Sequence, residues 1–348
     1  MTKSASYISG WDIGGAHLKV ARCDRHGNIQ DVIQFACPLW QGIEHLATAI
    51  ESVFKQLNNQ QDIAAITMTG ELVDIFPNRQ AGVAAILACI AQYIKHEHIV
   101  VYGADAGWLT ANQATQQWQQ VASRNWQASA NLVAQAIPEG LFVDIGSTTC
   151  DIIPLSNGVA IPRGVDDFGR QTSRELLYTG AIRTPLIALS QHAPFNGYLV
   201  SLAAEVFATT GDCWCLLGLL DPKSIQDNSA DGQPWQAAFC ASRIARLLGT
   251  DAKQASTAQW LQLAQWFAQQ QTHMMNNAIL QVLSAHPELA PDAPIIGAGV
   301  GRFITKSCAQ QLNRGYQDFS QVLSSQHPES AVHAPAVAVA LLAQQQLP

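Results

Sequence analysis

Charge is what this sequence has least of. Lys, Arg, Asp and Glu make up only 13% of its 348 residues, and seven of these are lysines. Soluble domains usually carry about a quarter. A surface that tracks nucleic-acid phosphates needs clustered Lys and Arg. With a formal net charge of −7 and no basic run, no nucleic-acid partner is expected. A small anionic substrate stays open, because a few converging arginines and backbone amides can hold phosphate inside a net-acidic protein. Long apolar runs are also missing: none approaches the roughly 20 residues that cross a bilayer, and Ala331 to Leu342 is interrupted by Pro335. No membrane span is expected. Eight cysteines are too dilute for a disulfide framework, and no stretch reads as a secretory signal, so a cytoplasmic chain with reduced thiols is expected. Cys213 and Cys215 have no second pair at zinc-site spacing and read as small packed hydrophobes. No GxxxxGK occurs, which excludes a P-loop.

What is present is 48% hydrophobic residues, enough for a large core and two domains. The division is placed at 1–138 and 139–348, with the last apolar segment, Pro335 to Leu347, as a helix able to pack back on the first domain. Strands are expected at 8–12, 18–24, 29–36, 63–68 and 99–102, and helices at 42–57 and 81–93. This β-β-β-α-β-α-β order predicts a mixed sheet with helices packed on it. One or two helices follow in 105–135, with a break near 123–125. The pattern then restarts as a strand at 141–145, a small-residue turn at 146–148 and a strand at 150–155. Trp11-Asp12-Ile13-Gly14-Gly15 is answered by Val143-Asp144-Ile145-Gly146-Ser147. A strand-DIG-strand unit opening each half points to two related α/β domains facing one another across a cleft. Beyond it, helices are expected at 169–179, 237–248 and 255–285, a loop at 221–235, and a strand, glycine loop and helix in PIIGAGVGRFITKSCAQQL.

Small-residue turns present several N–H groups in one concavity, and such nests bind phosphate oxygens. Gly14, Gly15, Gly146, Ser147, Thr148 and Thr149 are therefore candidate phosphate contacts. Asp12 and Asp144 end the preceding strands and are candidate Mg2+ ligands, with a strand-end cap as the plain alternative. Gly297, Gly299 and Gly301 form a third loop, either approaching a ligand or making a tight packing turn.

The layout and its three loops resemble the actin, sugar kinase and heat-shock cognate ATPase superfamily. That resemblance implies a duplicated ribonuclease H-like, two-domain α/β fold with a central cleft. More closely, TMTGELVDIFPNRQAGV, FVDIGSTTCDIIPL, ELLYTGAIRTP, AAEVFATTGDCWCLLG and IIGAGVGRF resemble the hydantoinase and oxoprolinase-related family, in the branch linked to tetrahydromethanopterin-dependent one-carbon metabolism. The implied activity is a transferase of methanofuran-type cofactor biosynthesis. In it the phenolic oxygen of a gamma-glutamyl-tyramine or tyrosine-like acceptor attacks an aminomethylfuran-methyl diphosphate at carbon, forming an aryl ether and releasing diphosphate. Charge growing on that leaving group calls for Mg2+, backbone amides and cations; Lys19, Arg170 and Arg183 are the candidates. Lys19 and His17 share a strand face and point either into the site or to solvent. An expected helix places Arg170 and Arg174 on one face, and Tyr178 either stacks on a ring or is structural. A phenol of pKa about 10 needs a base. Glu71 and Asp166 are first choices among Glu71, Asp151, Asp166, Asp167, Glu175 and Glu205, each also readable as a cap or an ion-pair member. The rivals are an ATP-dependent small-molecule kinase or hydantoinase-like hydrolase, with ATP as its cofactor, and a non-catalytic ATP-switched scaffold. Partners are then the two small substrates, and a homodimer is the base-rate expectation.

Overall fold

The computed structural model describes residues 7–347. The chain opens with three strands, β1 (Tyr7–Ile13), β2 (His17–Asp24) and β3 (Ile29–Ala36). There follow α1 (Glu44–Leu57), β4 (Ile63–Met68), α2 (Arg79–Ile90), β5 (Ile99–Tyr102), β6 (Trp108–Leu109), α3 (Ala111–Gln116) and α4 (Asn125–Ala136). They build a sheet in the order β3-β2-β1-β4-β5-β6. β1 is antiparallel to β2 and parallel to β4. From Ile8 to Ile13 every β1 residue is buried, as a central strand covered on both faces requires.

The second sheet starts at β7 (Gly140–Ile145) and β8 (Cys150–Ser156), with the short β9 (Val159–Ala160) paired to the end of β8. Next come α5 (Asp167–Ser173), β10 (Leu176–Leu177), the hairpin β11 (His192–Phe195) and β12 (Tyr198–Ser201), α6 (Thr210–Leu216), α7 (Ala237–Leu247), the long α8 (Thr257–Ser284), β13 (Ile295–Ala298) and α9 (Arg302–Gln311). With β14 (Tyr316–Asp318) the sheet reads β10-β8-β7-β13-β14, and β13 runs parallel to β7. The chain ends in α10 (Phe319–Val322) and α11 (Ala334–Gln346).

Two compact units result. The first runs to Glu139 and regains the chain at Leu155–Ile161 and from Gln317 onward; the second holds Gly140–Pro154 and Pro162–Tyr316. A single division after residue 138 leaves out the return at Leu155–Ile161. The second return is built for its place: every residue of α11 from Ala334 to Ala343 is buried, the pattern of a helix surrounded by protein. It packs on β1, where a side chain at Gly10 would strike the Ala336 carbonyl and come within 2.6 Å of Ala340 N. Each unit has its own apolar core. Among the described residues no helix is long and apolar enough to cross a membrane.

The helix expected over 169–179 is corrected to α5, which ends at Ser173. Arg174 takes a left-handed conformation as its C-cap (φ 65°), and Leu176–Leu177 pair with β8 instead. Burying two leucines against a strand outweighs one more helical turn. Arg170 and Arg174 therefore do not share a helix face. The 221–235 loop is less exposed than its composition suggests, since Ser229 and Trp235 are buried and Asp231 is held by Arg243 of α7.

Candidate phosphate-binding turns

The two DIG turns are built alike, each within its own unit. After β1, the Gly14 N–H donates to the His17 carbonyl (3.0 Å), closing the turn. The Gly15 and Ala16 carbonyls accept from Leu39 N (2.9 Å) and Cys37 N (2.8 Å). After β7, the Gly146 N–H donates to the Thr149 carbonyl (2.9 Å). The Gly146 carbonyl accepts from Ala181 N (2.9 Å), and the Ser147 carbonyl from Ile182 N (3.1 Å) and Arg183 N (2.8 Å). In both, the carbonyls are tied back into protein. Among the described residues the N–H groups of Gly15, Ala16, Ser147 and Thr148 meet no acceptor. A turn with its oxygens committed and its N–H groups uncommitted is electropositive and suits a phosphate oxygen.

Strand register supplies the charged pair beside the first turn. Asp12 lies opposite Lys19 across β1 and β2, and its Oδ2 is 3.2 Å from Lys19 Nζ. Asn125, the first residue of α4, donates from Nδ2 to Asp12 Oδ1 at 3.3 Å. Asp12 is buried and Lys19 keeps 27% of its side chain exposed, so the ammonium is held by a buried carboxylate while still reaching solvent. His17, on the same strand face, is buried. Glu71 is buried, and the two residues before it lie against this turn: Thr69 N donates to the Ile13 carbonyl (3.0 Å), and a side chain at Gly70 would meet the Gly14 carbonyl at 3.1 Å. Ser123 Oγ donates to Glu71 Oε1 (2.9 Å).

The second turn rests on a buried amide. Gln271, midway along α8 and fully buried, donates from Nε2 to Thr179 Oγ1 (2.9 Å) and to the Gly180 carbonyl (2.8 Å). Its Oε1 accepts from Trp214 Nε1 (2.8 Å). Gly180 lies so close to Ser147 and Thr148 that a side chain there would overlap their backbone. Asp144 is buried at the end of β7. Gly297 within β13 and Gly299 and Gly301 just after it all have packing reasons. A side chain at Gly297 would come within 2.7 Å of the Tyr316 ring, one at Gly299 (φ 82°) would strike the Ile145 carbonyl and Asp144 Oδ1, and one at Gly301 would meet Ile145 and Ala181.

The polar zone after β9 is more structural than its letters suggest. Asp166, exposed, accepts from Gly169 N (2.8 Å) as the N-cap of α5. Arg170 is only 1% exposed; its guanidinium holds Asp151 Oδ1 (2.8 Å) and the Glu175 carbonyl (3.1 Å). The Glu175 carboxylate takes Arg163 N (2.7 Å), Gly164 N (2.9 Å) and Ser173 Oγ (2.9 Å). Glu205 accepts from Val206 N (2.9 Å). Arg183 has a side chain 41% exposed, 3.8 Å from Asp227 Oδ1. Of the cationic candidates, Lys19 and Arg183 thus reach solvent, while Arg170 is committed inside. Val165, Phe168 and Tyr178 leave exposed apolar surface in the same zone.

Sequence reasoning missed Asn125 and Gln271. A break in helical periodicity at Ser123-Arg124-Asn125 was the available signal for the first; the last of three consecutive glutamines in a glutamine-rich helix gave none for the second. Mg2+ prefers several oxygen ligands of carboxylate, phosphate or water type. Among the described residues no three His, Cys, Asp or Glu side chains gather as a metal-ligand group, and both Asp12 oxygens are engaged by the Lys19 and Asn125 donors. Mg2+ is commonly held by one or two carboxylates together with phosphate oxygens and water, so a metal at Asp12 would compete with these two donors.

Comparison with known proteins follows the same outline. Over 345 residues the chain is 26% identical to the (4-{4-[2-(gamma-L-glutamylamino)ethyl]phenoxymethyl}furan-2-yl)methanamine synthase of Methanocaldococcus jannaschii, covering 98% of each chain. The synthase of that name from Methanococcus vannielii is 30% identical over 186 residues, 53% of this chain and 82% of that one. Among solved structures, nucleotide-free acetone carboxylase superposes with a TM-score of 0.55 at 9% identity, over 88% of this chain and 67% of that one. At that identity the likeness is one of α/β fold alone. Residues 62–346 match the hydantoinase/oxoprolinase family model, and with most of its length inside that match the chain belongs to the hydantoinase/oxoprolinase family.

Proposed function

We propose that this protein is a transferase of methanofuran-type cofactor biosynthesis, forming an aryl ether by displacing diphosphate from carbon. One observation carries the reading: alignment over 98% of both chains with a relative named as synthase of a phenoxymethyl-furan amine. A phenoxymethyl group is an ether between a phenol oxygen and a methylene carbon, so its synthase has to join those two atoms.

In this reading the phenol oxygen attacks the methylene carbon of an aminomethylfuran-methyl diphosphate. The new C–O bond forms as the old one breaks, the bonding pair leaves on diphosphate, and the phenol proton passes to a base. Negative charge grows on the leaving group, so donors aimed at it lower the barrier. Lys19, oriented by Asp12, and the N–H groups of Gly15 and Ala16 are the donors assigned to that charge; Ser147, Thr148 and Arg183, in the other unit, are the alternative set. Glu71 is the base assigned to the phenol, because it is buried beside the first turn while Asp166 caps a helix. No step is routed through a metal ion held by the protein, and a cation arriving with the diphosphate would share its charge.

Purified protein incubated with the furan diphosphate and the gamma-glutamyl-tyramine acceptor, with and without Mg2+, should yield the ether and free diphosphate, read by mass spectrometry. Lys19→Met should lower kcat by about 100-fold or more, in the range for loss of one charge-stabilising donor; Asp12→Asn, which frees Lys19 from its anchor, should act in the same direction. Absence of ether, together with ATP consumption on another acceptor, would sink the proposal in favour of a kinase.

A further inference from the structure

A cavity of about 410 Å3 lies in the first unit, in the size range of small-molecule sites. Four separated segments wall it: the loop from β5 to β6, one face of α4, the β9 return and the last turns of α11. From α4 come Gln127, Asn131 and Gln135, four apart and therefore on one helix face. Exposure rises along that row, from buried Gln127 to exposed Gln135. Tyr102 and Trp108 meet edge to face, with ring centroids 5.7 Å apart. Amides fix both rings: Asn131 Nδ2 donates to the Tyr102 hydroxyl (3.0 Å), and Trp108 Nε1 donates to Gln346 Oε1 (3.0 Å). Gln127 Nε2 donates to Asp105 Oδ1 (3.1 Å). The loop carrying Asp105 is closed by Gly103 N donating to the Gly107 carbonyl (2.8 Å). The aromatic pair and the carboxylate are thus already positioned.

The chemistry of this lining restricts what could enter. No Lys, Arg or His lines it, and Asp105 is the one formal charge in the lining; the nearby Arg124 is behind the wall, its Nη1 on Gln127 Oε1 (3.4 Å), so a phosphate or carboxylate ligand would face Asp105 with no cation in direct contact. The groups left over are mixed. Asp105 Oδ2 and Asn131 Oδ1 are acceptors, while the Tyr102 hydroxyl and Gln346 Nε2 are donors, none with a second partner among the described residues. A bare ammonium would use the acceptors and leave the donors unmatched. A hydroxyl gives and takes a hydrogen bond at one atom, and an aromatic wall suits the C–H faces between hydroxyls.

We propose that this cavity is a binding site for a neutral polyol of the sugar class. It is a second site on the first unit, independent of the reading of the reaction. Calorimetric titration of the full-length protein with neutral mono- and disaccharides, inositol and glycerol tests it, with ethanolamine and inorganic phosphate as charged comparisons. At least one neutral polyol should bind saturably at one site per chain, and phosphate should not. Asn131→Leu, and Gln135→Leu at an exposed position, should each weaken binding by about tenfold, as loss of a hydrogen bond to a bound ligand does. Asp105→Asn keeps the shape without the charge and should change affinity by less than about threefold. Three results overturn the proposal: no saturable binding by any neutral member of the panel, unchanged affinity in both leucine variants, or binding of ethanolamine alone that Asp105→Asn abolishes.

Discussion

At His333 burial removes the water that would solvate an imidazolium, and Lys19, His17 and His327 add positive field. Its pKa is accordingly pushed down to about 3 from the usual 6.5. Glu329, 3.8 Å from Nε2, is an acidic counterweight and is itself half exposed. The unfolded chain takes up this proton near the ordinary histidine pKa and the folded chain resists it, so stability present above pH 6.5 is lost as pH falls toward the folded value. From pH 7 to pH 5 the loss from this residue should be about 2 kcal/mol. Urea unfolding at the two pH values should show a smaller difference in His333→Leu than in the unsubstituted protein. Gln271 is a second residue whose role is fixed by what it touches. Gln271→Leu removes the amide supporting Gly180 and leaves the Trp214 N–H without its acceptor. If the second turn holds diphosphate, inhibition by added inorganic diphosphate should weaken about tenfold, a hydrogen-bond-scale loss. A protein that is merely less stable would melt earlier but keep the same inhibition constant below its melting point.

At the scale of elements, β1 and α11 depend on one missing side chain. Gly10 lets an alanine-rich helix lie directly on the central strand. Gly10→Val should destabilise the protein by about 3 kcal/mol or more, since overpacking usually costs 1–3 kcal/mol and here the helix backbone itself is in the way. Thermal unfolding would read it, and an unchanged midpoint would remove the proposed close packing. The strands of the first sheet were legible because alternation and apolar runs are local signals: 63–68 and 99–102 match β4 and β5 to the residue. Residues 169–179 were not legible in the same way. Arg174 turns left-handed and Leu176–Leu177 become a sheet edge because β8 is there to receive them, and periodicity in the segment alone does not report a partner more than twenty residues upstream.

For the molecule as a whole, all eight cysteines are unpaired and buried in the described structure. Burial pushes the thiols of Cys23, Cys37 and Cys308 up to about 12 and those of Cys150 and Cys213 well above their usual value. A thiol-specific reagent at neutral pH should therefore label essentially none in the native protein and all eight after denaturation; rapid labelling of a native thiol would contradict this packing. The candidate site divides along the same lines as the fold. The sequence by itself determined the two DIG turns, the strands that carry them and the residue types suited to phosphate, since each is written within about ten consecutive residues. Tertiary structure decided which of those residues are available. Register set Lys19 on Asp12, the entry of α4 brought Asn125 to the same carboxylate, and burial committed Arg170 and Glu175 to holding the chain. Whether a polar side chain serves a ligand or the fold depends on which neighbours satisfy its hydrogen bonds, and those neighbours come from segments far apart in the chain.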